Sequence, residues 1–358
     1  MQHTTPDSSL SDRSSQLSVI IPTLNEAGNL PLLLGQLKTQ KGLRLETIVA
    51  DAASIDDTQK QCREHGVRLI ECNPGRGHQM NQAAALATAP LLLFLHADST
   101  LTSDRLLYAA HQALEADRKR SGDTRVAGHF RLGFQRSRPG HELAYRYYEE
   151  KSALNRRECT NGDQGLLLYT SFFRELGGFD ESLWFLEDQR MAETIRRRGR
   201  WITLPGTLGT SARRFEREGL GRRMLLSAII MNFHAMGLDE FFHRARDVYR
   251  SQDQTRKLRL GPVFELIHTI NKEAGRRTSR QRWFATGRYA LSHLWQLFFW
   301  LDVAAAHWFG RKQRMFLSLH DRFLTPLSGL KPLQILSTGL VWLCFSGTRL
   351  FLHRKPDA

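Results

Sequence analysis

The chain has 358 residues, of which 41% are hydrophobic and 24% are charged, and this composition excludes a disordered or collagen-like protein. A mean hydropathy of −0.40 excludes a polytopic membrane protein. The net charge of +15 is uneven, since residues 1–117 hold 9 Lys and Arg against 13 Asp and Glu, and residues 118–358 hold 42 against 23. Such a positive field favours phosphate-bearing substrates or an anionic membrane surface. No zinc-finger or RNP pattern accompanies it, so we expect no nucleic-acid partner.

The first residues predict a loose tail. Residues 1–15 are polar and rich in serine, with no apolar run of the kind found in secretory signals. We therefore expect a disordered tail over 1–15 and a protein whose globular part stays in the cytoplasm.

From Leu17 onward, apolar runs alternate with helical patterns. The predicted strands are Leu17–Thr23, Glu46–Ala50, Val67–Glu71 and Leu91–His96, and the predicted helices are Leu30–Gln40, Asp57–His65 and Gly77–Thr88. Strands that alternate with helices in this way predict an α/β fold with a mostly parallel central sheet, covered by helices on both faces.

Polar residues follow the ends of four predicted strand segments. In open α/β sheets, ligands bind beyond the carboxyl ends of the strands. Each residue alone could be a helix cap or a turn residue. Because four segments bring such groups to one edge, a binding site is the better interpretation of the set, which comprises Thr23, Asn25, Glu26, Asp51, 73–77, His96 and Asp98.

Several motifs extend this pattern in a fixed order. They include LSVIIPTLNEAGNL, ETIVADAASIDDT, GRGHQMNQAAALATAPLLLFLHADSTL, TNGDQGLLLY, GGFDESLWFLEDQRMAETIRRRGR and SARRFEREG. Residues 16–250, which contain them, resemble a family 2 glycosyltransferase, of the bacterial branch that carries HAD in place of DxD. The resemblance implies the GT-A nucleotide-diphospho-sugar transferase fold, a nucleotide-sugar donor, a divalent cation and inversion at the anomeric carbon.

The HAD motif implies the metal ligands. Asp98 matches the last acid of DxD, which holds Mg²⁺ or Mn²⁺ against the diphosphate, and His96 replaces the first acid. Imidazole is a poor ligand for Mg²⁺ but suits Mn²⁺, so we expect a preference for Mn²⁺. Alternatively, His96 orients a water molecule or Asp98.

Other motif positions match donor-binding residues of the family. The resemblance places the base and ribose near the ends of the first two strands, at Thr23, Asn25, Glu26 and Asp51. Arg76 and Gly77 precede or begin a helix, where free N–H groups and a guanidinium suit a phosphate or the base, although the glycines could equally form a tight turn. Arg213 and Arg214 match a segment that closes over the diphosphate.

An acidic pair at the start of a predicted helix implies the catalytic base. In the family, the pair matched by Glu187 and Asp188 deprotonates the acceptor hydroxyl, and we assign this role to Asp188. Asp163 is the second candidate, in a segment where Gln164 also lines the acceptor side. Alternatively, the two acids only stabilise a helix N-terminus. The arginines that end this helix, at 196–198 and 200, predict a solvated helix end.

Residues 251–358 predict a basic and aromatic helical region. Tyr289–Phe309 and Leu336–Leu352 are apolar, but both are near the lower length for a membrane span and contain polar residues. Arginine-rich and tryptophan-rich helices of this kind favour peripheral association with the inner face of the cell membrane. A soluble helical bundle is the alternative.

The sequence therefore predicts a metal-dependent inverting glycosyltransferase with a lipid-linked, amphiphilic or saccharide hydroxyl acceptor. A sugar-phosphate nucleotidyltransferase is a second hypothesis, although PTLNE stands after the first strand where that class carries a glycine-rich basic loop. A non-catalytic module that binds nucleotide sugars is a third.

Overall fold

The computed structural model describes residues 14–160, 162–183, 186–250, 257–310 and 313–354. The chain forms two compact units. The first unit comprises residues 1–135 and 144–211, and the second comprises residues 136–143 and 212–358. This division comes earlier than the predicted domain boundary between residues 250 and 251. Residues 1–13 of the predicted tail lie outside the described residues.

An eight-stranded mixed sheet forms the centre of the first unit. Its strand order is β3-β2-β1-β4-β7-β6-β8-β5. Strands β1–β2, β1–β4, β2–β3 and β6–β8 pair in parallel, and the other three pairs are antiparallel. The strands are β1 Leu17–Thr23, β2 Leu45–Asp51, β3 Arg68–Glu71, β4 Leu91–Phe94, β5 Ser99–Leu101, β6 Val126–Gln135, β7 Leu166–Tyr169 and β8 Arg200–Ser211.

Helices connect the strands, and the sequence pattern predicts the first three of them. They are α1 Leu30–Lys38, α2 Thr58–His65, α3 Arg76–Leu86, α4 Leu106–Ser121, α5 Glu142–Ser152, α6 Thr170–Leu176 and α7 Glu187–Arg198. Short 3₁₀ turns lie at Arg157–Cys159 and Gly162–Gln164. The predicted elements up to β4 are confirmed, with ends that differ by no more than a few residues.

Periodicity in the sequence accounts for the core of this unit. All seven residues of β1 are buried, because the parallel sheet is covered on both faces. In α1, Leu30, Leu33, Leu34 and Leu37 recur at helical spacing and are buried, whereas Leu32 is 55% exposed. This match between pattern and burial fixes which face of α1 packs on the sheet.

Two arginines at the end of α7 and the start of β8 have partners inside the unit. Arg200 Nε donates to the buried Asp117 carboxylate at 2.6 Å. Arg196 Nη1 donates to Asn155 Oδ1 at 3.0 Å, and its guanidinium lies over the Trp201 ring. The prediction of a solvated helix end is therefore wrong for Arg196 and Arg200, because a buried carboxylate lies within reach of Arg200, and an amide oxygen and an aromatic face lie within reach of Arg196.

The second unit is helical, which confirms the predicted helical C-terminal region. Phe233 stacks on Phe241, and Phe264 stacks on Phe345, in its apolar core. The helices are α8 Arg213–Glu218, α9 Leu220–Ala235, α10 Asp239–Arg250, α11 Gly261–Glu273, α12 Gly275–Ser292, α13 Trp295–Phe309, α14 Met315–Leu319 and α15 Lys331–Arg354, with a π turn at His320–Leu324 and a 3₁₀ turn at Pro326–Gly329.

The apolar stretches of this unit behave differently from each other. The Tyr289–Phe309 stretch is divided between α12 and α13, which breaks it as a continuous span. Within the described ranges, α15 alone has the length and apolar composition to cross a membrane, and only 6% of its apolar window is buried. Burial of α15 in a soluble bundle is therefore slight, and membrane association stays a prediction.

Candidate active site

The carboxyl ends of β1 and β2 are joined through Asp51. Thr23 Oγ1 donates to Asp51 Oδ1 at 2.9 Å, the Ser54 N–H donates to Oδ2 at 2.9 Å, and Gln59 Nε2 donates to Oδ2 at 3.0 Å. Burial raises the pKa of Asp51, but these hydrogen bonds, with the one from the Ser54 hydroxyl, outweigh it and lower the pKa below the usual value. Since both oxygens already accept hydrogen bonds, a nucleotide would have to replace one of these donors.

The two loops beyond β1 and β2 hold each other. Asn25 has a positive φ of 55°, its N–H donates to Ser54 Oγ at 2.8 Å, and its Oδ1 accepts the Ile55 N–H at 2.9 Å. The Glu26 N–H donates to Thr58 Oγ1 at 2.8 Å. Asn25 is exposed and Glu26 is half-buried, so these predicted donor-binding side chains lie at the surface of the strand edge.

Helix α3 connects this edge to the acidic pair. Gly75 has a φ of 146°, which favours glycine, and α3 begins at the next residue. A Cβ on Gly77 would lie 3.3 Å from the Asp180 carbonyl oxygen and 3.7 Å from Glu187 Cβ. Gly77 therefore permits close packing of the helix start against the segment that leads into α7, in addition to any part in phosphate binding.

Two residues of α3 that sequence reasoning missed fix the position of the helix. Gln79 Nε2 donates to the carbonyl oxygens of Thr23 and Ala50, at 2.9 and 2.7 Å. Asn81 exchanges hydrogen bonds with the Phe179 backbone, at 2.9 and 2.8 Å. Amide side chains inside an otherwise alanine-rich helix were the available signal, because buried amides need partners.

Arg76 lies between the acidic pair and the histidine of the HAD motif. Its Nε donates to Glu187 Oε1, its Nη2 lies 3.1 Å from Asp188 Oδ2, and its Nη1 lies 3.4 Å from His96 Nε2. Asp163 Oδ1 accepts a hydrogen bond from His96 Nδ1 at 2.9 Å. Residues predicted from three separate motifs are thus in one cluster, which we call the Arg76 cluster: Arg76, His96, Asp163, Glu187 and Asp188.

Gly162 lies directly beside the Asp188 and His96 side chains of this cluster. A Cβ at Gly162 would lie 2.1 Å from Asp188 Oδ2 and 3.2 Å from His96 Nε2. Both side chains therefore face the same small space, which only a residue without a side chain leaves open. Glu187 is 1% exposed, and its Oε2 has no hydrogen-bond partner within the described ranges.

Burial and mutual charge together shift the pKa values in the Arg76 cluster. Burial raises the pKa of Asp188, and the neighbouring Arg76 charge opposes this without cancelling it. Burial lowers the pKa of His96, but its hydrogen bond with Asp163, together with the negative charges of Asp163 and Asp188, raises the pKa above the usual value. Burial also disfavours the Arg76 charge, but Asp188 and Glu187 keep its pKa above the usual value. Arg76 is therefore a permanent cation between acids.

Three predicted residues stand apart from these contacts. Gln164 is fully buried, and its Nε2 donates to the carbonyl oxygens of Ser152 and Phe130, so its side chain supports the turn from inside. Arg213 and Arg214 begin α8, which belongs to the second unit. Their predicted contact with a donor diphosphate stays a prediction.

The residues of the HAD motif fit a divalent cation by their chemistry. Because a carboxylate only accepts hydrogen bonds, His96 Nδ1 carries the proton that faces Asp163, and in the neutral imidazole Nε2 keeps a lone pair. A histidine ligand held by a carboxylate in this way is typical of metal sites. Asp98 follows two residues later and is half-buried. No group of three metal-ligating side chains occurs in the part of the chain that the structure describes.

Comparisons with known proteins find glycosyltransferases that are similar to this chain. Residues 18–176 match the sequence model of the family described as glycosyl transferase family 2. This match supports membership of family 2. A 4,4'-diaponeurosporenoate glycosyltransferase of Staphylococcus haemolyticus is 28% identical over 151 residues, which are 40% of this chain and 36% of the relative. The family match and the mixed sheet followed by helices confirm the predicted GT-A fold class.

Two further proteins are similar over different lengths. A PGL/p-HBAD biosynthesis glycosyltransferase of Mycobacterium bovis is 37% identical over 91 residues, which are 24% of this chain and 36% of the relative. The mannosyltransferase PcManGT from Pyrobaculum calidifontis, solved with GDP-Man and Mn²⁺, is 18% identical with a TM-score of 0.45, over 94% of this chain and 87% of that one. The matched segments span 36% of the length of each of the two curated relatives, the 4,4'-diaponeurosporenoate glycosyltransferase and the PGL/p-HBAD biosynthesis glycosyltransferase.

Proposed function

We propose that the protein is an inverting glycosyltransferase that moves a sugar from a nucleoside-diphosphate sugar to a hydroxyl acceptor. The Arg76 cluster carries this proposal, because it joins a carboxylate, a permanent cation and a carboxylate-held imidazole beside the carboxyl edge of parallel strands. A cluster of this kind can receive a proton and balance negative charge at the same place. We also propose, from its HAD motif, that the chain belongs to the branch of the family that carries HAD in place of DxD.

Asp188 is the proposed general base. The acceptor oxygen attacks the anomeric carbon, its proton passes to an Asp188 carboxylate oxygen, and the bond from that carbon to the diphosphate oxygen breaks. The nucleoside diphosphate leaves with the bonding electron pair. Glu187 holds Arg76, and Asp163 holds His96, so we assign Asp163 an orienting role and keep it as the alternative base.

The donor would lie along the edge where β1, β2 and β4 end. Thr23, Asn25, Glu26 and Asp51 are the proposed base and ribose region, and Arg76, Arg213 and Arg214 are the proposed diphosphate contacts. His96 Nε2 and Asp98 would hold Mn²⁺ or Mg²⁺, which when bound neutralises charge on the leaving diphosphate. Imidazole among the ligands favours Mn²⁺.

An amphiphilic or lipid-linked acceptor is the proposed substrate class, with the protein at the inner face of the cell membrane. Trp342, Leu343 and Leu336 of α15 are 47%, 60% and 58% exposed, which is a large apolar surface for a solvated helix. The names of the two curated relatives, a 4,4'-diaponeurosporenoate glycosyltransferase and a PGL/p-HBAD biosynthesis glycosyltransferase, direct the choice of acceptors to test.

Release of nucleoside diphosphate from a panel of UDP- and GDP-sugars, with Mn²⁺, Mg²⁺ or EDTA, tests the proposal. We expect release with at least one donor, stimulation by Mn²⁺ and loss with EDTA. Asp188→Asn is expected to lower transfer by about 10²- to 10⁴-fold while donor binding persists. Glu175→Gln removes an exposed acid paired with Arg125 outside the Arg76 cluster and should be neutral.

Other outcomes support the other hypotheses. Formation of a nucleotide sugar from a sugar 1-phosphate and a nucleoside triphosphate, with release of pyrophosphate, would establish a nucleotidyltransferase. Tight donor binding without turnover on any acceptor would establish a binding module. Full activity of Asp188→Asn would remove Asp188 as the base.

A further inference from the structure

Helices α12 and α15 of the second unit touch backbone to backbone at one point. A Cβ on Gly287 would lie 2.2 Å from Thr338 Oγ1 and 2.6 Å from Thr338 Cα, and Ser337 Oγ donates to the Gly287 carbonyl oxygen at 2.8 Å. Beside this contact the helices leave a groove of about 460 Å³, which we call the α12–α15 groove. Its principal lining residues are Arg276, Arg280, Trp283, Phe284, Ile335 and Trp342.

Two positive charges at this groove lack compensation. Arg276 and Arg280 are exposed, and neither donates a hydrogen bond nor forms an ion pair within the described residues of the chain. Arg282, on the same helix, pairs with Glu240, and Arg349 on α15 forms two bonds with Glu265 at 2.8 and 2.9 Å. The arginines at the groove therefore differ from neighbours whose charge is satisfied inside the unit.

Their positions make the lack of a partner costly. Residues four apart on a helix are neighbours, and like charges there repel. Arg276 also lies in the first turn of α12, where the helix dipole disfavours a cation. Glu273, the nearest acid before them in the sequence, is held by Arg244 at 2.6 Å. An anion at Arg276 and Arg280 would relieve both repulsions.

The rest of the groove is apolar and open. Ile335 is 64% exposed and Trp342 is 47% exposed, and both lie on α15, the helix with an apolar composition suited to a membrane. Tryptophan is enriched where an apolar environment meets water. A volume of this size is in the range of sites for small ligands. The groove thus offers two cations next to an apolar channel.

We propose that the α12–α15 groove binds one anionic phospholipid, with its phosphate on Arg276 and Arg280 and an acyl chain against Trp283, Ile335 and Trp342. An occupant with a single anionic head and an apolar tail matches both halves of the groove, whereas inorganic phosphate matches only the arginines. This inference rests on the membrane association in the proposed function, but it is independent of catalysis.

Filling the groove at constant charge tests the proposal most directly. A Cβ on Gly339, which lines the groove, would meet no atom within 4 Å, so the leucine of Gly339→Leu starts from open space in the groove. Gly347→Leu is the matched control, because Gly347 lies on the same helix, is equally open and is not among the groove residues. In co-sedimentation of the full chain with phosphatidylcholine vesicles containing phosphatidylglycerol, we expect Gly339→Leu to weaken binding at least tenfold and Gly347→Leu to leave it unchanged.

Charge variants form the second arm. Arg276→Gln with Arg280→Gln should weaken vesicle binding about thirtyfold, since each contact between a basic side chain and an anionic surface contributes about 1 kcal/mol. Arg277→Gln with Arg288→Gln removes the same charge from exposed positions of α12 outside the groove, and its loss should stay within about threefold at physiological salt because of screening. Inorganic phosphate at equal ionic strength should not compete.

The results separate this inference from the enzyme proposal. Equal losses in the two double variants, competition by phosphate, or wild-type binding of Gly339→Leu would overturn the groove as a phospholipid site. Nucleoside-diphosphate release measured in detergent on the same proteins tests catalysis independently. Vesicle binding that depends on the groove, together with absent release in the wild type, would refute the enzyme proposal alone.

Discussion

Replacement of Gly162 by alanine tests the geometry of the Arg76 cluster. The new Cβ would lie 2.1 Å from Asp188 Oδ2, and ordinary contacts begin at 3.4 Å, so the carboxylate must retreat by more than 1 Å. Displacements of about 1 Å at a reacting group cost about a hundredfold in rate, which corresponds to about 2.7 kcal/mol in activation free energy. We therefore expect Gly162→Ala to lower nucleoside-diphosphate release about a hundredfold.

The same substitution should have little effect on folding. Gly162 is not among the glycines with positive φ, so alanine can adopt its backbone conformation. The clashing atom is the end of a side chain that can rotate, and we expect the free energy of unfolding to fall by no more than about 1 kcal/mol. Release is measured at saturating donor, and unfolding is measured by urea titration of the same preparations.

Gly35→Ala is the matched control for this experiment. A Cβ on Gly35, inside α1, meets nothing within 4 Å, so the variant should keep full activity and gain about 0.5–1 kcal/mol of stability. Wild-type release by Gly162→Ala would refute the placement of Asp188 over Gly162. A large loss of stability in Gly162→Ala would refute the idea that the Asp188 side chain rotates away from the new Cβ.

Three further substitutions test the fold around the site by urea or thermal unfolding. Asp51 has a lowered pKa in the folded protein, so its stabilisation is present above the usual aspartate pKa of about 3.9 and is lost as the pH falls through the folded value. Asp51→Asn should therefore lower the free energy of unfolding by about 1–3 kcal/mol near pH 6, and its difference from wild type should shrink below about pH 4. A difference that does not change with pH would contradict this reasoning. Arg200→Ala should lower the free energy of unfolding by about 2 kcal/mol, because it leaves the buried Asp117 carboxylate with one ion pair fewer. The control Arg197→Ala, at an exposed position, should lower it by under about 0.5 kcal/mol, and equal effects would contradict the assigned pairing. Leu33→Ala should lower the free energy of unfolding by about 2–5 kcal/mol, whereas Leu32→Ala, at the exposed position before it, should leave it almost unchanged. Similar losses in the two variants would contradict the assigned face of α1.

Local sequence patterns were sufficient for the first unit's elements up to β4 and for the strand edge that carries the candidate site. The apolar runs of β1, β2 and β4 have few alternatives to buried parallel strands, and the polar residues that follow them must then emerge at one edge. His96 and Asp51 were found in this way. Periodicity also predicted which leucines of α1 are buried, because that depends only on helix geometry.

Long-range partners could not be predicted in the same way. Nothing in the spacing between Arg76 and Glu187 indicates that they meet, since their contact depends on how α3 and α7 pack. The internal donors of Asp51 were missed for a similar reason, because Ser54 and Gln59 approach it only when the loop folds back. Likewise, the partners of Arg200 depend on tertiary packing and not on its place in a basic run.

The magnitudes decide between two explanations of the acidic pair at the start of α7. Interaction with a helix dipole contributes about 0.3–1 kcal/mol and needs no burial. Glu187 is 1% exposed, and burying a carboxylate costs several kcal/mol unless a cation compensates it. Helix stabilisation alone would therefore favour an exposed acid. The pairing of Glu187 with Arg76 supplies the compensation, and it places Arg76 within reach of Asp188 and His96. The burial of Glu187 is thus explained by its role in positioning Arg76. An interaction with the helix dipole alone would not require that burial.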